Sequence, residues 1–168
     1  MTERLKKITT LIFDIDGVFT DATLTVTHDD VTRTFNVRDG YAVQMALKSG
    51  YRMAVISGGK QESIVSRMNA LGITDVHIRV GTAEKPAVLS AYLAEKKVPA
   101  EEVLFIGDDI PDLLVMNTFP VLACCPADAV PEVLERADYI TTASGGRGAV
   151  REVIERVMKA QGKWMKEL

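Results

Sequence analysis

Residues 11–20 constrain the fold of this chain more than any other segment, and they read LIFDIDGVFT. The apolar start of this segment predicts a strand buried between two layers of helices, because both of its faces are apolar. Asp14 and Asp16 follow where this strand ends, and Gly17 comes next in a predicted turn. Ligands bind beyond the carboxyl ends of the strands in open α/β sheets, so both carboxylates are candidate site residues.

The Asp14/Asp16 pair has a chemical interpretation and a purely local one. One carboxylate can attack phosphorus as a nucleophile, and a second one two residues later can transfer the proton. Asp also favours turns for local reasons, and the pair taken alone is better explained in that way. The other strand ends of the chain therefore decide between the two interpretations.

Further short apolar segments alternate with amphipathic ones along the chain. Short links join them, which predicts an α/β fold with a doubly wound parallel sheet. The later strands are predicted at residues 51–57, 75–80, 103–106, 120–125 and 139–141. The helices are predicted before Gly50 and at residues 61–70, 84–97, 129–136 and 149–161.

Residues 23–35 interrupt this alternation. Two β-rich runs flank the polar link His28-Asp29-Asp30, which predicts a β-hairpin that projects from the sheet. The sheet does not need this hairpin for its core. A decorative flap, a lid over the site and a contact between subunits all remain open interpretations.

Three more strand ends carry polar residues. Ser57, followed by Gly58 and Gly59, can hold a phosphate through its hydroxyl, backbone N–H groups and the next helix N-terminus, although a plain Ser-Gly turn also fits. Lys85 opens a helix, where a lysine is usually a solvated charge, but it could also reach the same phosphate. The strand at 103–106 ends in three closely spaced carboxylates, Asp108, Asp109 and Asp112. Such carboxylates repel one another unless they share a cation, and hard oxygen ligands beside a phosphate indicate Mg²⁺.

Other polar residues allow weaker hypotheses. Asp39 could cap the helix that follows it. Arg38 could be a solvated charge or could face an anionic substrate. Arg147 lies in a flexible, glycine-rich segment at residues 144–148, and His77 is expected to be structural.

Composition excludes several classes of function. The net charge of −3 and the absence of a long basic run argue against nucleic-acid binding. The adjacent Cys124 and Cys125 rarely pair with each other, and we expect them to be buried on a strand. No signal peptide or segment of transmembrane length is visible, so we expect a cytoplasmic protein with no membrane partner.

The four strand ends together resemble the haloacid dehalogenase superfamily. The resemblance implies a Rossmann-like sheet and phosphoryl transfer through an aspartyl phosphate. Asp14 would then be the nucleophile, and Asp16 would protonate the leaving oxygen and activate water. Ser57 and Lys85 would hold the phosphoryl oxygens. Mg²⁺ would be held by Asp14, the backbone carbonyl of Asp16, and Asp108, with Asp109 and Asp112 supporting the metal waters or positioning Lys85.

The chain further resembles a capless, tetrameric branch of this superfamily. About 20 residues separate the first strand from the next helix, too few for a folded cap. Residues 35–41, 145–152 and 160–163 match the phosphatases of 3-deoxy-D-manno-octulosonate 8-phosphate, which act in lipopolysaccharide biosynthesis. The resemblance implies one domain over residues 1–168, hairpins that meet between four subunits, and a tail at 144–168 that reaches a neighbouring site. Substrate contacts would come from Asn36, Val37, Arg38, Asp39, Gly40, Gly58, Gly59, Arg67 and Arg147.

One position departs from this branch. The branch often has Arg after the Gly of its second motif, whereas this chain has Gly59 followed by Lys60. A sister group that acts on nonulosonate 9-phosphates, such as 2-keto-3-deoxynononate 9-phosphate, has an acidic residue there and does not match either. A phosphatase of that sister type is the alternative function, and a catalytically idle oligomeric binding module is a remote one.

Overall fold

Strands and helices alternate along the chain in the computed structural model, which describes residues 1–166. The strands are β1 (Thr10–Phe13), β2 (Thr25–Val26), β3 (Val31–Thr32), β4 (Arg52–Ile56), β5 (Asp75–His77), β6 (Val103–Ile106), β7 (Leu122–Cys125) and β8 (Tyr139–Ile140). The helices are α1 (Thr2–Lys7), α2 (Val37–Lys48), α3 (Glu62–Leu71), α4 (Lys85–Lys96), α5 (Ile110–Thr118), α6 (Pro131–Arg136) and α7 (Ala149–Ala160).

Six of the strands form one parallel sheet in the order β5-β4-β1-β6-β7-β8. The chain builds outward from β1 in one direction through β4 and β5, and then returns to build outward through β6, β7 and β8. The strand order therefore reverses between β1 and β6, which creates a crevice beyond their carboxyl ends. The predicted doubly wound α/β fold is confirmed.

Alternate side chains of the sheet enter two separate cores. Leu11 and Phe13 of β1 face the core under α1, α2, α3 and α7, whereas Ile12 faces the core under α4, α5 and α6. Burial on both faces explains why the strands read as continuous apolar runs. Cys124 and Cys125 follow the same rule, since both are free, both are buried, and they lie in opposite cores.

The predicted hairpin is present but short. Strands β2 and β3 pair antiparallel over Thr25–Thr32 and Val26–Val31, and no cap domain lies between β1 and α2. Its return strand is anchored by Phe35, whose ring centroid lies 6.5 Å from that of Phe19. Val26, at the outer part of the hairpin, is 70% exposed.

Several sequence-based details were wrong. Asn36 caps α2 by accepting a hydrogen bond from the backbone N–H of Arg38, whereas Asp39 lies inside the helix and is buried. Helices α1 and α5 were not predicted, and β5 ends at His77 rather than at Val80. The 144–148 segment is rich in glycine because it packs closely, since a Cβ at Gly145 would lie 1.9 Å from the Gly17 carbonyl oxygen.

The chain after α7 packs on its own domain. The Gln161 side-chain amide donates to the carbonyl oxygens of Leu5 and Ile8 and accepts from the Tyr51 hydroxyl. Trp164 is partly buried against the core below α7. The last two residues of the predicted tail, Glu167 and Leu168, lie outside the described residues.

Candidate active site

The crevice between β1 and β6 holds a cavity of about 480 Å³. Asp14 stands at its base, where its backbone N–H donates to the carbonyl oxygen of Ile106 at 3.0 Å and its side chain is buried. All four predicted motifs supply polar side chains or backbone groups to the lining of this cavity. The lining includes Asp14, Asp16, Ser57, Gly58, Gly59, Lys85, Asp108, Asp109 and Asp112.

Lys85 connects the carboxylates at the base of the cavity. Its Nζ lies 2.7 Å from Asp112 Oδ1 and 3.2 Å from Asp14 Oδ1, close enough for two ion pairs, although only the first is aligned as a hydrogen bond. The side chains of Lys85 and Asp112 are 3% and 1% exposed. A buried charge pair of this kind is costly to break, because either partner alone would remain uncompensated.

Burial changes the proton affinity of these groups. It raises the pKa of Asp14 from 3.8 to about 7, with repulsion from Asp112 adding to the effect and Lys85 opposing it. It likewise raises the pKa of Asp108 to about 8, helped by Asp112 and Asp14. Burial lowers the pKa of Lys85, but Asp14 and Asp112 outweigh it, so that the Lys85 pKa is raised overall.

The carboxylates fit a divalent cation. One oxygen each from Asp14, Asp108 and Asp112 lie within 4.8 Å of one another. Among the described residues, Asp14 Oδ1 and Asp108 Oδ1 are buried without a hydrogen-bond partner, which is the condition that a bound cation relieves. The loop after Asp14 can approach the Asp108 carboxylate closely only because residue 17 is a glycine. Gly17 has a φ of +83°, and a Cβ there would lie 1.9 Å from Asp108 Oδ2.

Asp112 and Asp109 have different surroundings. Asp112 Oδ1 holds Lys85, and its Oδ2 accepts from the backbone N–H of Asp108 at 3.1 Å. Asp109 is exposed and caps α5 by accepting from the Ile110 N–H at 2.7 Å. Asp112 is therefore the acid of this pair that contacts Lys85.

Ser57 lies at the end of β4, opposite the carboxylates. Its hydroxyl oxygen accepts from the backbone N–H of Gly59 at 3.2 Å, which folds the Ser57-Gly58-Gly59 segment into a tight loop along the cavity wall. Hydroxyl and backbone N–H groups at this place suit a phosphoryl group, as their sequence position predicts.

Asp16 is turned toward the hairpin. Its carboxylate accepts two hydrogen bonds from Arg33, from Nε to Oδ1 at 2.6 Å and from Nη2 to Oδ2 at 2.9 Å. The Asp16 side chain is therefore absent from the carboxylate cluster around Lys85, although its 32% exposed carboxylate still lines the cavity.

The structure does not bring most of the predicted sugar contacts into this cavity within one chain. Of that set, only Gly58 and Gly59 line it. Arg147 is 71% exposed and lies 3.5 Å from Asp21, beside a second cavity of about 160 Å³ that Asn36 also lines. Arg67 stacks at 6.0 Å from the Phe35 ring centroid, and Val37 is 77% exposed.

Arg33 and Gln61 were not predicted as site residues, and no role was predicted for Lys60. All three line the main cavity. A signal for Arg33 was present in the hairpin. Strand alternation places Val31, Arg33 and Phe35 on one face, and these three are partly buried while Thr32 and Thr34 are exposed. A charged residue on the inward face of a strand indicates a buried partner.

Comparison with known proteins adds the family context. No protein-family model matches the chain. The chain is 39% identical over 161 residues to the 3-deoxy-D-manno-octulosonate 8-phosphate phosphatase KdsC of Escherichia coli K12, covering 95% of this chain and 84% of that protein.

Solved structures of 3-deoxy-D-manno-octulosonate 8-phosphate phosphatases are also similar to this chain. A crystal structure of the Yersinia pestis 3-deoxy-D-manno-octulosonate 8-phosphate phosphatase superposes with a TM-score of 0.93 at 36% identity, covering 98% of this chain and 88% of that one. The Moraxella catarrhalis enzyme, in complex with a magnesium ion, a phosphate ion and a KDO molecule, superposes with a TM-score of 0.90 at 29% identity and covers 96% and 91%.

Proposed function

Because this chain belongs to the 3-deoxy-D-manno-octulosonate 8-phosphate phosphatases of the haloacid dehalogenase superfamily, we propose that it hydrolyses this sugar-acid phosphate. The products are the free sugar acid and inorganic phosphate. The observation that carries the proposal is the placement of Asp14, Lys85 and Asp108 in one cavity at the point where the strand order reverses. Residues 1–168 act as a single phosphatase domain.

Asp14 is the nucleophile of the proposed reaction. Its carboxylate oxygen attacks phosphorus, the bond between phosphorus and the sugar oxygen breaks, and Asp16 gives a proton to the leaving sugar oxygen. Water then attacks phosphorus in the aspartyl phosphate while Asp16 takes its proton, which frees Asp14 and phosphate. Ser57 and the positive charge of Lys85 hold the phosphoryl oxygens during both steps.

Mg²⁺ is the cofactor of this site. Asp14, the backbone carbonyl of Asp16, and Asp108 would hold it. This fits the buried Oδ1 atoms of Asp14 and Asp108, which have no hydrogen-bond partner within residues 1–166. When bound, it supplies positive charge that offsets the repulsion between the carboxylates and the phosphoryl group. Asp112 contributes by keeping Lys85 directed toward Asp14.

The eight-carbon substrate is favoured over the nine-carbon alternative because the relatives described above are named for it. The proposal is tested by comparing kcat/KM for 3-deoxy-D-manno-octulosonate 8-phosphate and 2-keto-3-deoxynononate 9-phosphate with saturating Mg²⁺. We expect the eight-carbon substrate to be preferred. A higher kcat/KM for the nine-carbon substrate would instead support the nonulosonate 9-phosphate phosphatase function. No turnover of either substrate would support the idle binding module.

We further propose that four chains assemble through their hairpins and that the sugar contacts come from a neighbouring subunit. Asn36, Val37, Arg38, Arg67 and Arg147 would then meet a substrate that they do not reach within one chain. Asp39 and Gly40, which are buried, would support this segment rather than contact the sugar. Arg147 is exposed, and its guanidinium suits the sugar carboxylate. Mixing Arg147→Ala with Asp14→Asn subunits should give hybrids that are more active than either parent, and hybrids without this gain would exclude a role across the interface.

The setting of the reaction is also a proposal. We infer that the enzyme is cytoplasmic and acts in making the sugar acid of lipopolysaccharide. No helix within residues 1–166 is long and apolar enough to cross a membrane. Fractionation of the source cells, with the phosphatase activity followed through each fraction, tests this placement.

A further inference from the structure

Arg33 is a buried arginine that the phosphatase chemistry above does not use. It lies one residue after β3, yet its side chain is only 4% exposed, while the neighbouring Thr32 and Thr34 face solvent. A guanidinium is rarely buried unless its N–H groups find acceptors. The hairpin therefore directs one charged side chain into the main cavity.

Two hydrogen bonds fix the Asp16 carboxylate on this guanidinium. Nε and Nη2 of Arg33 donate to the two different oxygens of Asp16, at 2.6 and 2.9 Å. A bidentate pair of this kind restricts the rotation of the carboxylate, which a single ammonium group cannot do to the same extent.

The opposite side of the guanidinium is fixed as well. Nη1 of Arg33 donates to Gln61 Oε1 at 2.8 Å, and the same oxygen accepts from the backbone N–H of Lys60 at 3.3 Å. Gly59 leaves room for this arrangement, because a Cβ there would lie 3.3 Å from Arg33 Nη2 and 2.4 Å from Ile64 Cδ1. Arg33 thus joins the hairpin, the loop of Asp16 and the loop of Ser57.

We propose that Arg33 is a positioning residue that holds the Asp16 carboxylate at the edge of the cavity in its working orientation, with Gln61 holding the guanidinium in turn. The proposal rests on the proposed role of Asp16 in proton transfer. A misplacement of about 1 Å in such a group can cost about a hundredfold in rate. The hairpin would then position Asp16 of its own subunit, independent of any contact between subunits.

Steady-state kinetics of Arg33→Ala with 3-deoxy-D-manno-octulosonate 8-phosphate and Mg²⁺ tests the proposal. We expect kcat to fall about a hundredfold while KM changes less than about threefold, because the residue acts on the chemical step through Asp16. Guanidinium ion at millimolar concentration should restore kcat about tenfold or more. Arg4→Ala is the control, since Arg4 contacts Asp138 and the Val121 carbonyl at the amino ends of β8 and β7, away from the cavity, and should keep wild-type kinetics.

Two further variants keep the test decisive if Arg33→Ala does not fold. Arg33→Lys keeps the charge without the bidentate geometry and should lie between wild type and Arg33→Ala in kcat. Gln61→Ala leaves the Arg33–Asp16 pair intact and should lose only a few-fold. Thermal unfolding of each variant separates loss of folded protein from loss of rate.

The outcomes separate this proposal from the proposed function. A tenfold or larger rise in KM with kcat retained would make Arg33 a substrate contact and overturn the positioning role. Wild-type kinetics in Arg33→Ala, or no rescue by guanidinium, would also overturn it. Asp16→Asn is measured alongside, and only full activity in that variant would remove Asp16 itself from the reaction.

Discussion

Asp14 and Asp108 are two carboxylates that share the same buried environment at the base of the cavity. Both are held in the crevice by glycine turns and β-strand ends, and both have a buried oxygen without a hydrogen-bond partner among residues 1–166. Burial raises the pKa of each, so that protons compete with a cation for the same oxygens.

The first prediction concerns Asp108. Asp108→Ala should raise the Mg²⁺ concentration needed for half-maximal activity by about 10-fold or more, because one anionic ligand is lost. Titration of activity with Mg²⁺ measures this, with Glu135→Ala as a control on the exposed face of α6. An unchanged Mg²⁺ requirement would remove Asp108 from the metal site.

The second prediction concerns pH. The pKa values of Asp14 and Asp108 are about 7 and about 8 in the folded protein, above the ordinary 3.8, so the folded state binds more protons than the unfolded state between these values. The free energy of unfolding of the metal-free protein should therefore fall as pH rises from about 4 to about 8. Asp108→Asn should flatten this slope.

Thermal unfolding in a chelator at pH 5, 6, 7 and 8 measures this dependence. Saturating Mg²⁺ should raise Tm most at pH 8, because the ion binds the deprotonated carboxylates. Rising stability of the chelated protein between pH 5 and 8 would contradict the burial of these two groups.

At the scale of elements, helix α7 depends on a residue from α2. Its N-cap residue is Gly148, which has no side chain to cap the helix. The buried Asp39 carboxylate accepts from the Arg151 N–H at 2.9 Å, and so supplies the missing acceptor from another helix.

The third prediction follows from this contact. Asp39→Ala should lower the free energy of unfolding by about 1 to 2 kcal/mol, the scale of a lost N-cap. Chemical denaturation measures it, with Glu135→Ala as the exposed acidic control. A loss no larger than in the control would show that α7 does not need this acceptor.

The Asp39 contact is an example of a feature that could not be predicted from the sequence. The strand ends and their polar residues could be predicted, because apolar runs and glycine turns are local signals. The α2–α7 contact and the Arg33–Asp16 pair could not, since each joins residues that are distant in sequence: 39 with 151, and 33 with 16. The 3.6-residue period of a helix places Asp39 inward only once the start of α2 at Val37 is known.

At the scale of the whole molecule, the hairpin exposes apolar side chains that a single chain does not cover. Leu24 and Val26 are 46% and 70% exposed, and Val37 at the start of α2 is 77% exposed. A two-stranded hairpin is marginally stable alone, so contact with other hairpins would stabilise it.

The fourth prediction tests that assembly. Wild-type protein should sediment as a tetramer, and Val26→Asp should shift it toward smaller species, because four added charges would meet at the shared surface. Leu114→Asp, an exposed apolar position on α5, should leave the mass unchanged. A fully active wild-type monomer would exclude a site shared between subunits.

The most direct test of the phosphatase assignment is phosphate release by the wild type and by Asp14→Asn from 3-deoxy-D-manno-octulosonate 8-phosphate. We expect Mg²⁺-dependent release by the wild type, none in excess chelator, and less than about a hundredth of the wild-type rate in Asp14→Asn, on the scale of losing one key catalytic group. Release that persists in the chelator, or an Asp14→Asn rate above that limit, would contradict the site as assigned.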